Sequence, residues 1–316
     1  MQQQQQDDAQ PVPAFVARLA NARRISVMLK SILLTDKNAV ATVFILPGGI
    51  KFVAEDAKSM QANAFLQAAI FLQYTCPAEL PPFKIHLEKL LDCLNIFSSG
   101  TAPAPAPTAL KLTYCGPGSV LNLLLEEGGV FADCDLRTLE PDDILDFAFN
   151  SFGVHNKLIV KSEGMKGAFA ELDTSSEFLE VVMSPDEPYL RLSTTGQAGQ
   201  VNVDFPFDSF VIETFECFRP QCNRYRMSLI APSIKGLAIS TKTSMRMNAR
   251  GFLSLQFMIS NEDSQVSFVE YLCAPEDANE DSERDEESEL SGTDSAHLLD
   301  GQPSYAHHEV SAPMEQ

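Results

Sequence analysis

The stretch Ala22-Arg23-Arg24-Ile25-Ser26-Val27-Met28-Leu29-Lys30-Ser31-Ile32-Leu33-Leu34 decides the first question about this fold. Ile25, Met28, Leu29, Ile32 and Leu33 fall at the i, i+3, i+4, i+7, i+8 positions of one buried stripe, so the spacing predicts an amphipathic helix over 22–34. At about 100° per residue, Arg23 and Lys30 project from the opposite face and Arg24 from its flank. A second stripe, Leu87, Leu90, Leu91 and Leu94, predicts a helix over 86–97 with Lys89 and Asp92 outward. Weaker helical periods run over 163–173, with Met165, Ala168, Phe169 and Leu172 inward and Lys166 on the flank, and over 229–237, carrying Lys235.

Between these helices the period changes from 3.6 to 2. Leu110, Leu112 and Tyr114 alternate with Lys111 and Thr113; Leu190 and Leu192 flank Arg191; Leu253, Leu255, Phe257 and Ile259 alternate with Ser254, Gln256 and Met258. Such alternation indicates strands with two unlike faces. Turn signals at Pro47-Gly48-Gly49, Gly128-Gly129, Ser184-Pro185-Asp186, Gly196–Gly199 and Asn248–Gly251 read as hairpins of largely antiparallel sheets. The order is strand, helix, three strands, helix, three strands, and then the same again. This α+β pattern of two tandem βαβββαβββ units shows no residue-level identity between its halves.

Composition sets the frame. The chain has 316 residues, 45% hydrophobic and 21% charged, which suits a protein with a full core. Its seven cysteines are scattered without a C-x-x-C pair, so they read as buried thiols of a reducing compartment. No secretory leader is expected at the glutamine-rich start, and no run approaches the roughly 18 apolar residues of a membrane span. Net charge is −20, unevenly distributed: from Glu276 onward thirteen acids face one base, while the remainder carries thirty acids and twenty-two bases. The segments 1–12 and 276–316 read as disordered, and 101–108 as a stiff Ala-Pro insertion. Serines among the tail acids (Ser282, Ser288, Ser291) are candidate phosphorylation sites.

A family resemblance rests on an ordered series of strings: Ala57-Lys58-Ser59-Met60-Gln61-Ala62-Asn63-Ala64-Phe65, Leu91-Asp92-Cys93-Leu94, Gly128-Gly129-Val130, Met183-Ser184-Pro185-Asp186, Asn223-Arg224-Tyr225, Gly251-Phe252-Leu253-Ser254-Leu255-Gln256 and Phe268-Val269-Glu270-Tyr271. Together these resemble the Rad-one family of checkpoint-clamp subunits, from the heterotrimer called nine-one-one, and more distantly proliferating cell nuclear antigen. The resemblance implies a DNA-clamp fold of two domains, 13–136 and 153–275, joined by a connector over 137–152. Sheets would form the outside of a ring and helices its interior.

It also implies two partner subunits of the Rad-nine and Hus-one types, a clamp loader, and repair and checkpoint client proteins. Double-stranded DNA would be encircled without sequence readout, in the nucleus, with no cofactor, no membrane and no catalytic role for this chain. The hole-facing candidates are Arg23, Arg24, Lys30, Lys89, Lys166 and Lys235, since cations on an inner face attract phosphate without reading bases. An acidic outer surface would keep DNA inside. Subunits of this family join by edge strands, expected here at 109–115 (Leu110, Leu112, Tyr114) and 177–183 (Phe178, Glu180, Val182). The connector either borders a client groove or is a plain acidic linker.

Two rival readings differ in class. A homotrimeric replication clamp would share the fold but assemble from one chain. A metal-dependent 3′–5′ exonuclease would need clustered carboxylates, and Asp133, Asp135, Asp142, Asp143 and Asp146 form the one dense acidic group of the body. His86 and His155 stand alone, without zinc spacing, and no phosphate-binding loop is present.

Overall fold

A computed structural model describes residues 12–35, 38–56, 58–98, 107–197, 199–260 and 265–276. The glutamine-rich start, most of the Ala-Pro insertion and the acidic tail beyond Glu276 lie outside the described residues, as do the candidate phosphorylation sites. All described residues fall in one unit, Met1–Ala278.

The first half runs β1 (Phe15–Leu19), α1 (Arg23–Ser31), β2 (Val40–Leu46), β3 (Gly49–Asp56), β4 (Met60–Gln67), β5 (Gln73–Thr75), β6 (Phe83–His86), α2 (Leu87–Leu94), β7 (Ala109–Tyr114), β8 (Leu121–Glu127) and β9 (Val130–Leu136). The second runs β10 (Val154–Lys161), α3 (Ser162–Glu171), β11 (Phe178–Met183), β12 (Leu190–Gly196), β13 (Gly199–Phe205), β14 (Ile212–Cys217), β15 (Gln221–Arg226), α4 (Met227–Ile230), α5 (Ser233–Ile239), β16 (Lys242–Asn248), β17 (Leu253–Ser260) and β18 (Val266–Cys273). The α+β duplication stands, but five strands, not three, separate the helices of each half. The extra ones are short and interrupted by prolines (Pro77, Pro81, Pro82, Pro220), which cannot donate to a ladder. The helix expected over 229–237 is broken into α4 and α5 because Pro232 lacks the N–H and its ring crowds the preceding turn.

Each half divides its strands in the same way. Five form one sheet, β5-β1-β7-β8-β9 in the first half and β14-β10-β16-β17-β18 in the second. Four form another, β4-β3-β2-β6 and β13-β12-β11-β15. The second half's five and the first half's four are fused into one nine-stranded sheet by antiparallel pairing of β18 with β4, from Phe268↔Phe65 to Cys273↔Met60. Counted from its hairpin, β4 places Gln61 and Asn63 where β13 places Gln200 and Asn202. This Gln-x-Asn match is a residue-level trace of the duplication that the sequence reading missed.

The helices pack on the sheets through the predicted stripes. Ile25, Met28, Leu29 and Ile32 of the α1 stripe are buried, as are Leu87, Leu90, Leu91 and Leu94 of α2, with Leu33 half-buried. Each such side chain contributes about 1.5–3 kcal/mol relative to exposure. α1 touches both α2 and α5, and α5 touches α3, so the helices make a continuous row across the two halves. Two bonds lock that crossing: Tyr271 Oη donates to the Ser31 carbonyl at 2.6 Å and Lys235 Nζ to the Leu33 carbonyl at 2.9 Å. The first satisfies a last-turn carbonyl that the end of α1 leaves without a partner, and the second holds the chain two residues beyond that end. Gly236 allows the close approach, since a Cβ there would lie 2.9 Å from the Phe257 ring and 3.0 Å from that of Tyr271.

The segment 137–152 lies against the nine-stranded sheet through several contacts. Lys84 and Leu139 exchange backbone bonds at 2.9 and 2.8 Å, and the Lys84 ammonium pairs with Asp142. Gln61 Nε2 donates to the Leu145 carbonyl at 3.0 Å, and the Leu145 amide donates to Glu55 at 2.8 Å. Phe149 is buried with Phe252, Leu272 and Ala274 in a second small core, and the Arg246 guanidinium lies 5.4 Å from the Phe149 ring. The connector is thereby fastened to the face of the nine-stranded sheet that turns away from the main core.

Candidate nucleic-acid interface

The predicted cations sit on the helical row, but their freedom differs. Arg23, Val27 and Lys30 follow one another up the solvent side of α1, Val27 being 44% exposed. Among the described residues neither Arg23 nor Lys30 has an ion pair, so their charge is available to an approaching anion. Lys30 also occupies the last turn of α1, where a cation complements the helix dipole. Arg24 is half-buried on the flank.

The other three are engaged. Lys89 is paired with Asp92 at 3.3 Å on the exposed side of α2. Lys166 donates to the Ser240 carbonyl at 3.4 Å and lies 4.0 Å from Glu163. Lys235, though exposed, spends its ammonium on the end of α1. The two ion pairs, Lys89–Asp92 and Lys166–Glu163, are with exposed carboxylates and are worth less than about 1 kcal/mol each, so they moderate the positive field more than they remove it. Of the six candidates, Arg23 and Lys30 on α1 are thus the two whose charge is least committed within the described residues.

The expected subunit edges are wrong. β7 is hydrogen-bonded on both sides, to β1 and β8, and Leu110, Leu112 and Tyr114 point into the core. β11 is likewise flanked by β12 and β15, which makes Phe178, Glu180 and Val182 interior to their sheet. Alternation reports which face is buried and is silent about the sheet edge, because the in-plane neighbours of a strand leave no mark on its own period. The outer strands are instead β5 and β9 in the five-stranded sheet, β13 and β15 in the four-stranded one, and β14 and β6 in the nine-stranded one.

Residues 14–259 match the family described as "Repair protein Rad1/Rec1/Rad17". The human cell cycle checkpoint protein RAD1 is 49% identical over 280 residues, covering 89% of this chain and 98% of that one. The chain belongs to the Rad1 family. A more distant relative is the DNA damage checkpoint control protein rad1 of Schizosaccharomyces pombe, 29% identical over 85% of this chain and 89% of that one. The DNA repair exonuclease REC1 of Mycosarcoma maydis is 26% identical over 58% of this chain and half of its own length.

In this Rad1-family chain the acidic group weighed for metal catalysis is dispersed. Asp133 and Asp135 lie on β9, where the Asn122 amide donates to both, at 2.5 and 2.9 Å. Asp142 is held by Lys84, and Asp146 accepts the Ala148 amide at 2.8 Å. Among the described residues no three His, Cys, Asp or Glu side chains converge as metal ligands would.

None of the seven cysteines is in a disulfide, yet the expectation of burial holds fully for Cys273 alone; Cys115 and Cys222 are exposed and the rest half-buried. Burial pushes the Cys273 thiol up to about 12, and burial with a neighbouring Cys134 thiol raises Cys93 to about 11. Neither is a ready nucleophile at neutral pH.

Proposed function

We propose that this chain is one subunit of a heterotrimeric checkpoint clamp that encircles DNA, built from the domains 13–136 and 153–275 with the connector 137–152 between them. The observation that carries the reading is the division of the sheets. Each half makes a five-stranded and a four-stranded sheet; one five and one four are fused through β18 and β4, and the remaining pair ends in free strands β9 and β13. These are the counterparts of β18 and β4. A second subunit of the same fold can therefore repeat, between chains, the junction that this chain makes within itself. Such head-to-tail contacts are heterologous and close into a ring when the rotation allows.

The helical row, with Arg23 and Lys30 on the solvent side of α1, would then face the hole, where contact with phosphate is sequence-independent and salt-sensitive. The whole-chain likeness to checkpoint proteins supports subunits of the Rad-nine and Hus-one types as ring neighbours, a loader, and repair and checkpoint clients, acting in the nucleus. The reading assigns no catalysis to this chain; its role is to hold and recruit.

The deciding experiment is to mix the purified chain with the two other subunit types and weigh the product. An equimolar complex of three different chains, retained on closed circular DNA and lost from linear DNA, is expected. A self-trimer would replace this with the replication-clamp reading. Because REC1 is named an exonuclease, digestion of end-labelled duplex with and without magnesium belongs in the same series, and magnesium-dependent release of nucleotides by the pure chain would overturn the non-catalytic assignment.

A further inference from the structure

The β9 edge carries a charge pattern that its counterpart does not. Where the seam is closed inside the chain, the carboxylate beside it is neutralised from its own sheet: Glu270 of β18 receives Arg246 Nη2 at 2.6 Å and Ser254 Oγ at 2.7 Å. On β9 the residues of the corresponding face are Phe131, Asp133 and Asp135, with Phe131 66% exposed. Two strands in, β7 offers Lys111, but Leu124 lies between it and Asp133 in the register. No ion pair forms with either aspartate among the described residues. Among the described residues the shared Asn122 amide is the one side-chain donor they receive, and it is neutral.

A second copy of this chain does not supply the missing charge. The matching face of β13 presents Gln200, Asn202 and Asp204, none of them basic, and Asp204 is already held by Arg191 through two bonds of 2.7 and 2.8 Å. Pairing β9 with its own β13 would leave both carboxylates unbalanced, because Arg191 on the neighbouring strand is already committed to Asp204. Opposite charges across a strand pair stabilise it and like charges oppose it, and complementary charge also steers the encounter.

We infer that the β9 edge selects a strand from a different subunit, one that carries lysine or arginine at the positions facing Asp133 and Asp135. The inference rests on the clamp reading. Asp133 and Asp135 act here as specificity determinants: they reject a second copy of the chain and favour one neighbour in the ring, which fixes the order of subunits around the hole.

The test uses the full chain with the two other subunit types and measures the association rate of each pair at low and high salt. For the neighbour that docks at β9, the nearly isosteric D133N/D135N variant should slow association roughly tenfold at low salt and much less at high salt. The D133K/D135K variant should fail to pair there while still binding its other neighbour through β13, which also shows that it is folded. Reversing the basic positions of the partner strand to glutamate should restore pairing with D133K/D135K. Unchanged rates for both variants would overturn the inference, as would self-association of the unmodified chain through β9 and β13. If the unmodified chain binds neither partner, the clamp reading itself fails, and that outcome is distinct from the others.

Discussion

The β18–β4 seam and the open β9 and β13 edges are the same structural device in two states. At the seam, backbone ladder, core side chains and compensating charge all come from one chain: Val269 and Tyr271 are fully buried, and Arg246 answers Glu270. At the edges the ladder is unfinished, the acidic side chains of β9 have no ion pair among the described residues, and Val130 and Phe131 stand more than half exposed. An exposed edge strand is a hazard for a lone chain. The difference teaches that the isolated chain is complete along its midline and unfinished at its two ends, as a subunit would be.

The comparison breaks most visibly under substitution within the seam. Val269→Asp places an unpaired charge at a fully buried seam position and should cost more than about 4 kcal/mol, read as a large fall in the urea midpoint. Phe131→Asp on the open edge should change the stability of the isolated chain by less than about 0.5 kcal/mol. Equal costs would remove the distinction between closed and open.

The helical side sharpens it next. In the assembled ring, Arg23→Glu with Lys30→Glu should lower the salt dependence of DNA binding by about two units of log–log slope, since each phosphate that a cation neutralises adds about 0.9 to that slope. Lys89→Glu should do less, because Asp92 already holds that ammonium.

On the outer side, Lys84→Ala removes the Asp142 pair and should loosen the connector by less than about 1 kcal/mol. Faster hydrogen exchange at the Leu145 amide, with little change in global stability, is the expected signature.

The smallest effect is one of pH. The side-chain bond from Arg191 holds the Asp204 carboxyl below its usual range. Its contribution is therefore complete above the ordinary aspartate pKa and fades as pH falls through the lower folded value. Protection of the β13 amides, taken relative to their intrinsic exchange at each pH, should be level from neutrality down to the ordinary aspartate pKa and fall as the pH drops below it.

Much of this architecture was legible because local periods encode which face is buried. The α1 and α2 stripes, the β7, β12 and β17 alternations and the hairpin turns all appear where the sequence put them. The proline-flanked strands β5 and β15 were missed because three to six residues with mixed composition carry too little period to register. The connector aromatics Phe147 and Phe149 were visible as residues, but their burial depends on Phe252 and Leu272 arriving from a distant hairpin.

The sequence by itself determined the fold class, the family and the helical cations, since each is written in short-range spacing or in ordered strings. Only the tertiary structure decided which strands end a sheet, which lysines are already engaged, and where charge is left unanswered. Those depend on neighbours brought together from positions far apart in the chain, and a residue's own periodicity holds no record of them.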